Sequence, residues 1–274
     1  NGDPKLSYQL DKKTRQNTIK DLIKKHQTQG LPIDIKAKNG LLLLNPIAKQ
    51  SWELKRDNIE LIKKLGEGAF GEVDVHSGKL KMRFGKTVNV AVKVIKRCAN
   101  NEKATQELQK EGSLMRKFKH ENVVRTFGMV IERDTIMVVM ELIVGGGLDE
   151  YLKKNPTPPE LKASFAYDIA CGLSYVHNLH CIHRDIACRN CLLDVGRKNA
   201  KLSDFGLTRR TDKYCIQDGD KLPVRWLAPE VIETKEYTTW ADIYAYAILV
   251  WEIFSNGALP FGPKNNAEIK EGIK

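Results

Sequence analysis

The chain predicts an α+β protein of two lobes, a small antiparallel β-rich lobe followed by a larger, mainly helical one. Three features predict it. Short apolar runs punctuated by glycine fill residues 59–142, the pattern of strands joined by tight turns. Gly145-Gly146-Gly147 then breaks the chain. Beyond the break, apolar residues recur at helical spacing, and Pro158-Pro159-Glu160 suits a first helical turn.

Ahead of the lobes, Ile19, Leu22, Ile23 and His26 share one helical face within residues 15–29, and Gly30-Leu31-Pro32 stops the pattern. Residues 41–44 read as a buried strand closed by Asn45-Pro46. A composition shift then suggests one unit over residues 1–50, a linker over 51–58 and a second unit over 59–274. The small lobe is expected to contain strands over 59–65, 72–76 and 88–95, a helix over 105–118, and strands over 123–130 and 135–142. The larger lobe is expected to contain helices over 148–154, 159–179 and 242–254. The longest apolar run, 244–254, is about half the roughly 20 residues that a membrane span requires, so it reads as a core helix.

The formal net charge is +11, and twelve basic against six acidic residues lie in positions 1–57. The Lys and Arg residues are spread along the chain, so they read as a solvated face. No nucleic-acid partner is expected, and membrane contact only at the periphery. Six cysteines lie unevenly in a chain large enough to bury a core without staples, which points to reduced thiols and a cytoplasmic location. Cys188 and Cys191 form a C-x-x-C with no second pair at zinc spacing. The chain starts at Asn1 with no charged-then-apolar leader, which reads as a fragment or processed piece.

Three motifs carry chemistry. Gly66-Glu67-Gly68-Ala69-Phe70-Gly71-Glu72-Val73 lies between two expected strands, where glycines let backbone N–H groups approach phosphate oxygens. A dinucleotide site would need a helix directly after such a loop, whereas this sequence continues as strand. In Val90-Ala91-Val92-Lys93-Val94, a single lysine interrupts an apolar strand and needs an anion. Glu111 on the following helix can supply it, with Glu107 one turn earlier as the competitor. His183-Arg184-Asp185-Ile186-Ala187-Cys188-Arg189-Asn190 and Asp204-Phe205-Gly206 then provide a carboxylate, an amide and a second carboxylate, the needs of a phosphoryl-transfer site.

With these motifs in this order, and Ala228-Pro229-Glu230 after them, residues 59–274 resemble the protein kinases. The resemblance implies ATP with Mg²⁺, Mn²⁺ being the alternative cation, in a cleft between the lobes. Asp185 would accept or orient the substrate hydroxyl proton, and Asn190 and Asp204 would hold the metal. Lys93, paired with Glu111, would contact the α- and β-phosphates. Leu65, Gly66, Glu67, Gly68, Ala69, Phe70, Gly71, Glu72, Val73 and Ala91 would enclose the nucleotide. Met140 would guard the rear of the adenine pocket, with backbone hydrogen bonds from Glu141 and Ile143, and Phe205 would pack beneath the glutamate-bearing helix. Tyr214, the only tyrosine between Asp204 and Glu230, would be a regulatory phosphorylation site read by Arg184 or Arg209.

Serine/threonine kinases usually carry a lysine two residues after the catalytic aspartate; here that position is Ala187, and Arg189 follows at four. That form, with Pro223-Val224-Arg225-Trp226, resembles the tyrosine kinases, implying protein substrates with acceptor tyrosines; oligomeric state is left open. Residues 39–47 resemble the C-terminal end of a Src-homology-2 domain, and their spacing to Trp52-Glu53-Leu54 is similar to the non-receptor Fes/Fer kind. The arginine-bearing strand of such a domain would lie upstream, so no phosphotyrosine binding is expected there. Asp242-Ile243-Tyr244-Ala245-Tyr246-Ala247 departs from the family's Asp-x-Trp-Ser-x-Gly, although Asp242, which would brace the catalytic loop, is present. The larger lobe is expected to be truncated at Lys274, leaving Glu230 without its usual arginine and the fold of low stability.

Overall fold

The computed structural model describes residues 7–9, 14–33, 42–43, 50–67, 73–96, 102–132, 135–196, 198–217, 219–220 and 222–273. They fall into two compact units, Asn1–Gln50 and Ser51–Lys274.

In the first unit β1 (Tyr8–Gln9) pairs antiparallel with β2 (Arg15–Gln16), and α1 follows over Ile19–Gln29. The helix starts later than the expected residue 15 because Thr18 caps it, its side-chain oxygen accepting the Asp21 N–H. Gly30, at φ 59°, closes it in the left-handed conformation that glycine adopts without strain. The strand expected over 41–44 lies outside the described residues except for Leu42 and Leu43, which carry no regular structure.

The second unit opens on β3 (Ile59–Glu67), β4 (Asp74–Lys81) and β5 (Thr87–Lys96), continues through α2 (Glu102–Met115), and adds β6 (Thr126–Ile131) and β7 (Thr135–Glu141). The five strands form one antiparallel sheet in the order β3-β4-β5-β7-β6. Alternation along β5 gives the sheet two apolar faces. Val90, Val92 and Val94 join a cluster with Ile59, Leu80 and Val139. Ile95 points the other way, into the cluster that takes Leu108 and Met115 of α2. Lys93 shares that parity, so its side chain emerges on the α2 side of the sheet. Val123 and Val124, expected to begin β6, instead leave the sheet. The Val124 N–H donates to the Leu202 carbonyl, tying the small lobe to the segment that leads into Asp204.

The larger lobe contains α3 (Leu148–Lys154), α4 (Pro159–Asn178), the hairpin β8 (Cys191–Asp194) and β9 (Asn199–Leu202), β10 (Lys213–Cys215) paired with β11 (Glu236–Thr238), α5 (Pro229–Thr234), α6 (Thr239–Phe254) and α7 (Asn266–Ile273). Cys188 and Cys191 are wholly buried in its core, and burial pushes both thiols far above the usual range. They pack as small apolar groups. No helix among the described residues is long and apolar enough to cross a membrane. Glu230 sits on the first turn of α5 with an exposed side chain, so it is not a buried charge that requires a partner.

Candidate active site

Three side chains from separate elements converge where the lobes meet. Lys93 Nζ on β5 donates to Glu111 Oε1 on α2 at 2.5 Å and to Asp204 Oδ1 after β9 at 3.0 Å. Glu111, not Glu107, is the partner because the helix turns it inward beside Gly112, where a Cβ would lie only 2.7–2.8 Å from Met129 and Val138. Burial opposes the lysine's charge, but Glu111 and Asp204 outweigh it and hold its pKa above the ordinary value. Two carboxylates thus share one cation. Asp204 is the firmer anion, its pKa lowered chiefly by Lys93, whereas burial, together with the charge of Asp204, raises that of Glu111.

The loop of residues 183–190 hangs from the first turn of α6. The wholly buried Asp242 accepts the His183 N–H at 2.7 Å and the Arg184 N–H at 2.9 Å, with His177 Nε2 and the Tyr237 hydroxyl also on its carboxylate. These bonds support Arg184 at φ 71°, a left-handed conformation costing a non-glycine residue of order 1–3 kcal/mol. Asp204, at φ 57°, is held likewise by Lys93. His183 is neutral, since burial lowers its pKa. Its Nδ1 accepts the Asp185 N–H at 3.3 Å, so Nε2 carries the proton donated to the Ser203 carbonyl at 3.2 Å. Phe205 is buried against His183 and Phe118, with ring centroids 4.8 and 4.9 Å away.

Asp185 receives a hydrogen bond from Arg189. Burial raises its pKa and Arg189 opposes the shift, leaving it above the usual carboxylate range. Asn190 donates its Nδ2 to the Asp185 carbonyl at 2.8 Å, which turns its amide oxygen the other way. That oxygen and the carboxylate of Asp204 are a donor set suited to a hard divalent cation. Among the described residues no three His, Cys, Asp or Glu side chains are grouped to hold a metal. Such a cation would therefore need further oxygens from a phosphate, as Mg²⁺ in nucleotide sites does.

Of the expected nucleotide-pocket residues, Gly68, Ala69, Phe70, Gly71 and Glu72 lie outside the described residues. Leu65 is exposed on β3 and Val73 is buried just before β4. Ala91 faces Met140 across the β5–β7 ladder. The Glu141 N–H is engaged by the Arg125 carbonyl at 2.9 Å, and its carboxylate receives Lys201 Nζ at 2.8 Å, while Ile143 packs on the core. Tyr214 is not a plain exposed loop residue. Its ring lies 3.9 Å from the Arg184 guanidinium, and its hydroxyl donates to Asp220 at 3.0 Å. Arg184 donates to the same Asp220 oxygen at 3.0 Å, while its buried Nε has no hydrogen-bond partner among the described residues.

Sequence reasoning missed Glu252. This buried carboxylate near the end of α6 accepts the Cys188 N–H at 3.0 Å and the Trp226 indole N–H at 2.8 Å. Its one sequence signal was an acidic residue inside the longest apolar run.

A β-rich lobe over a helical lobe, with a lysine–glutamate pair, a braced His-Arg-Asp loop and an Asp-Phe-Gly at their junction, defines the protein-kinase fold. Residues 59–274 match the family profile described as protein tyrosine and serine/threonine kinase, and the chain belongs to that family. It is 39% identical to Fer-related kinase 1 of Caenorhabditis elegans over 247 residues, covering 90% of this chain and 61% of that protein. It is 38% identical to spermatocyte protein spe-8 of Caenorhabditis briggsae over 255 residues, 91% of this chain and 47% of that one. Against tyrosine-protein kinase Fer of Homo sapiens the identity is 35% over 264 residues, 94% of this chain and 31% of the other. The chain thus spans between about a third and three fifths of these relatives.

Proposed function

We propose that the chain is a non-receptor protein-tyrosine kinase that transfers the γ-phosphoryl group of ATP to tyrosine hydroxyls of protein substrates. The observation that carries this reading is the assembled triad of Lys93, Glu111 and Asp204, together with the His183-Arg184-Asp185 loop whose first two N–H groups Asp242 holds. Lys93 orients the α- and β-phosphates, and the glycine loop covers them. Asp185 receives the phenol proton as the phenolic oxygen bonds to the γ-phosphorus, the bond to the β,γ-bridging oxygen breaks, and ADP leaves with that electron pair. Asn190 and Asp204 would hold Mg²⁺, which when bound neutralises phosphate charge.

Arg189, four residues after Asp185 and stacked 4.2 Å from the Trp226 ring centroid, supports the tyrosine choice, as do the Fer relatives. We read residues 1–50 as the C-terminal remnant of a Src-homology-2 domain, 51–58 as a linker and 59–274 as the kinase domain, in a cytoplasmic signalling protein. Tyr214 and Arg184 form its regulatory pair. The test is transfer from Mg-ATP to a tyrosine-containing polymer, with Asp185→Asn beside the unmodified chain. Transfer by the unmodified protein and its loss in the variant is expected; equal signals overturn the reading in favour of an idle kinase-shaped scaffold.

A further inference from the structure

Beneath the catalytic loop, one oxygen atom joins two segments of the larger lobe. Glu252 Oε2 accepts both the Cys188 N–H, from the catalytic loop, and the Trp226 indole N–H, from the segment before Ala228-Pro229-Glu230. All three residues are buried, with Cys188 wholly inaccessible. Burial raises the pKa of Glu252 against the opposing hydrogen bonds from Trp226 and Cys188 and the nearby charge of Arg189, which makes no hydrogen bond to it. A buried carboxylate held by two neutral donors is costly. The top of the same Trp226 ring carries the Arg189 guanidinium at 4.2 Å, and Arg189 in turn bonds Asp185. A continuous chain of contacts therefore runs Glu252, Trp226, Arg189, Asp185.

Two carboxylates of α6 divide the work on the catalytic loop. Asp242, in its first turn, takes the N–H groups of His183 and Arg184. Glu252, about 15 Å further along the helix axis, takes the N–H of Cys188 at the loop's other end. Only Glu252 also reaches the Pro223–Trp226 segment, where the acceptor peptide would dock. We infer that Glu252 is a positioning residue that locks the acceptor-docking segment to the catalytic loop, and through Trp226 and Arg189 sets the orientation of Asp185. Lys93, Glu111 and Asp204 lie outside this chain of hydrogen bonds and ring contacts, Asp204 acting on Asp185 through its charge, so nucleotide handling should be largely spared.

The inference rests on the kinase reading, so its test includes a readout that does not need turnover. Glu252→Gln keeps an oxygen at the same reach and can accept both N–H groups; kcat and both KM values are expected within about twofold of the unmodified chain. Glu252→Leu leaves two buried donors unsatisfied, so kcat/KM for a tyrosine peptide is expected to fall about tenfold or more. KM for ATP should stay within about twofold. Trp226→Phe keeps a six-membered ring under Arg189 but loses the indole donor and the smaller fused ring, and with the Glu252 carboxylate left in place a smaller fall, about threefold, is expected in the same parameter.

Hydrogen exchange measured on the same proteins should show faster exchange over residues 183–190 in Glu252→Leu and not in Glu252→Gln. That result is expected whether or not the unmodified chain transfers phosphate. Failure of transfer alone therefore counts against the kinase reading and not against this one. If Glu252→Leu does not fold, Trp226→Phe and Glu252→Gln carry the test. Equal loss of ATP and peptide parameters, unchanged peptide kinetics in Trp226→Phe, or unchanged exchange over 183–190 would overturn the role of Glu252.

Discussion

For the proposed role as proton acceptor Asp185 must be ionised, and burial and one neighbour pull its pKa in opposite directions. Burial raises it and Arg189 lowers it, the balance lying above the usual carboxylate range. The acid limb of kcat/KM against pH should therefore sit above that of a free aspartate. Removing the opposing charge in Arg189→Gln should move it further up; a limb that stays put or moves down contradicts the assignment. Lys93 invites a second measurement. Lys93→Met leaves Glu111 and Asp204 as neighbouring carboxylates without their cation, which should cost about 1–3 kcal/mol in urea denaturation at pH 7.5. The pKa of Glu111, already raised by burial and by Asp204, rises further once the lysine is gone. The variant thus takes up a proton on folding as pH falls, and its deficit should shrink between pH 7.5 and 5.5. The need of Lys93 for an anion was legible in the sequence, because one lysine interrupts an apolar strand. The choice of Glu111 over Glu107 was not, since it depends on how closely Gly112 lets α2 approach the sheet.

At the scale of elements, the long periodic segments were legible and the short ones were not. Helices α3 and α4 and strands β5 and β7 fall within a residue or two of their expected bounds, because each presents a full apolar stripe or alternation. The strands β10 and β11, three residues each, and the six-residue α5 are too short for periodicity to register. The contact between α4 and β9 was also hidden, and it yields a prediction. Gly172 lies in the middle of α4, where alanine would ordinarily gain about 1 kcal/mol of helix stability. Here an added Cβ would come within 2.5 Å of the Asn122 carbonyl oxygen, and that oxygen accepts the Leu202 N–H at 2.8 Å. Backbone cannot yield as a flexible side chain can, so overlap outweighs propensity. Gly172→Ala should lose about 1–2 kcal/mol, read by urea denaturation. A gain in stability would mean that α4 can slide away from residue 122 without cost.

For the molecule as a whole, the question is how a phosphate would act on a site already assembled in its absence. Tyr214 lies in β10, paired with Tyr237 of β11, and its hydroxyl and Arg184 meet on one oxygen of Asp220. A phosphate on Tyr214 would bring about −1.5 to −2 charges beside that carboxylate. The more highly charged phosphate competes with Asp220 for Arg184, so Asp220 is expected to give way while the phosphate takes the guanidinium, including the Nε left without a partner among the described residues. Asp220 thus does part of the phosphate's work beforehand, and the gain on phosphorylation should be modest. Tyr214→Phe keeps the ring against Arg184 and should retain basal turnover, but show no rise after preincubation with Mg-ATP. Asp220→Asn should lower basal turnover about three- to tenfold and recover after the same preincubation, since the phosphate then meets no competing charge. Progress curves of peptide phosphorylation by the two variants decide it. An unchanged lag in Tyr214→Phe would remove Tyr214 from regulation, and an Asp220→Asn protein as active as the unmodified chain would show that Arg184 needs no counter-ion to hold the loop.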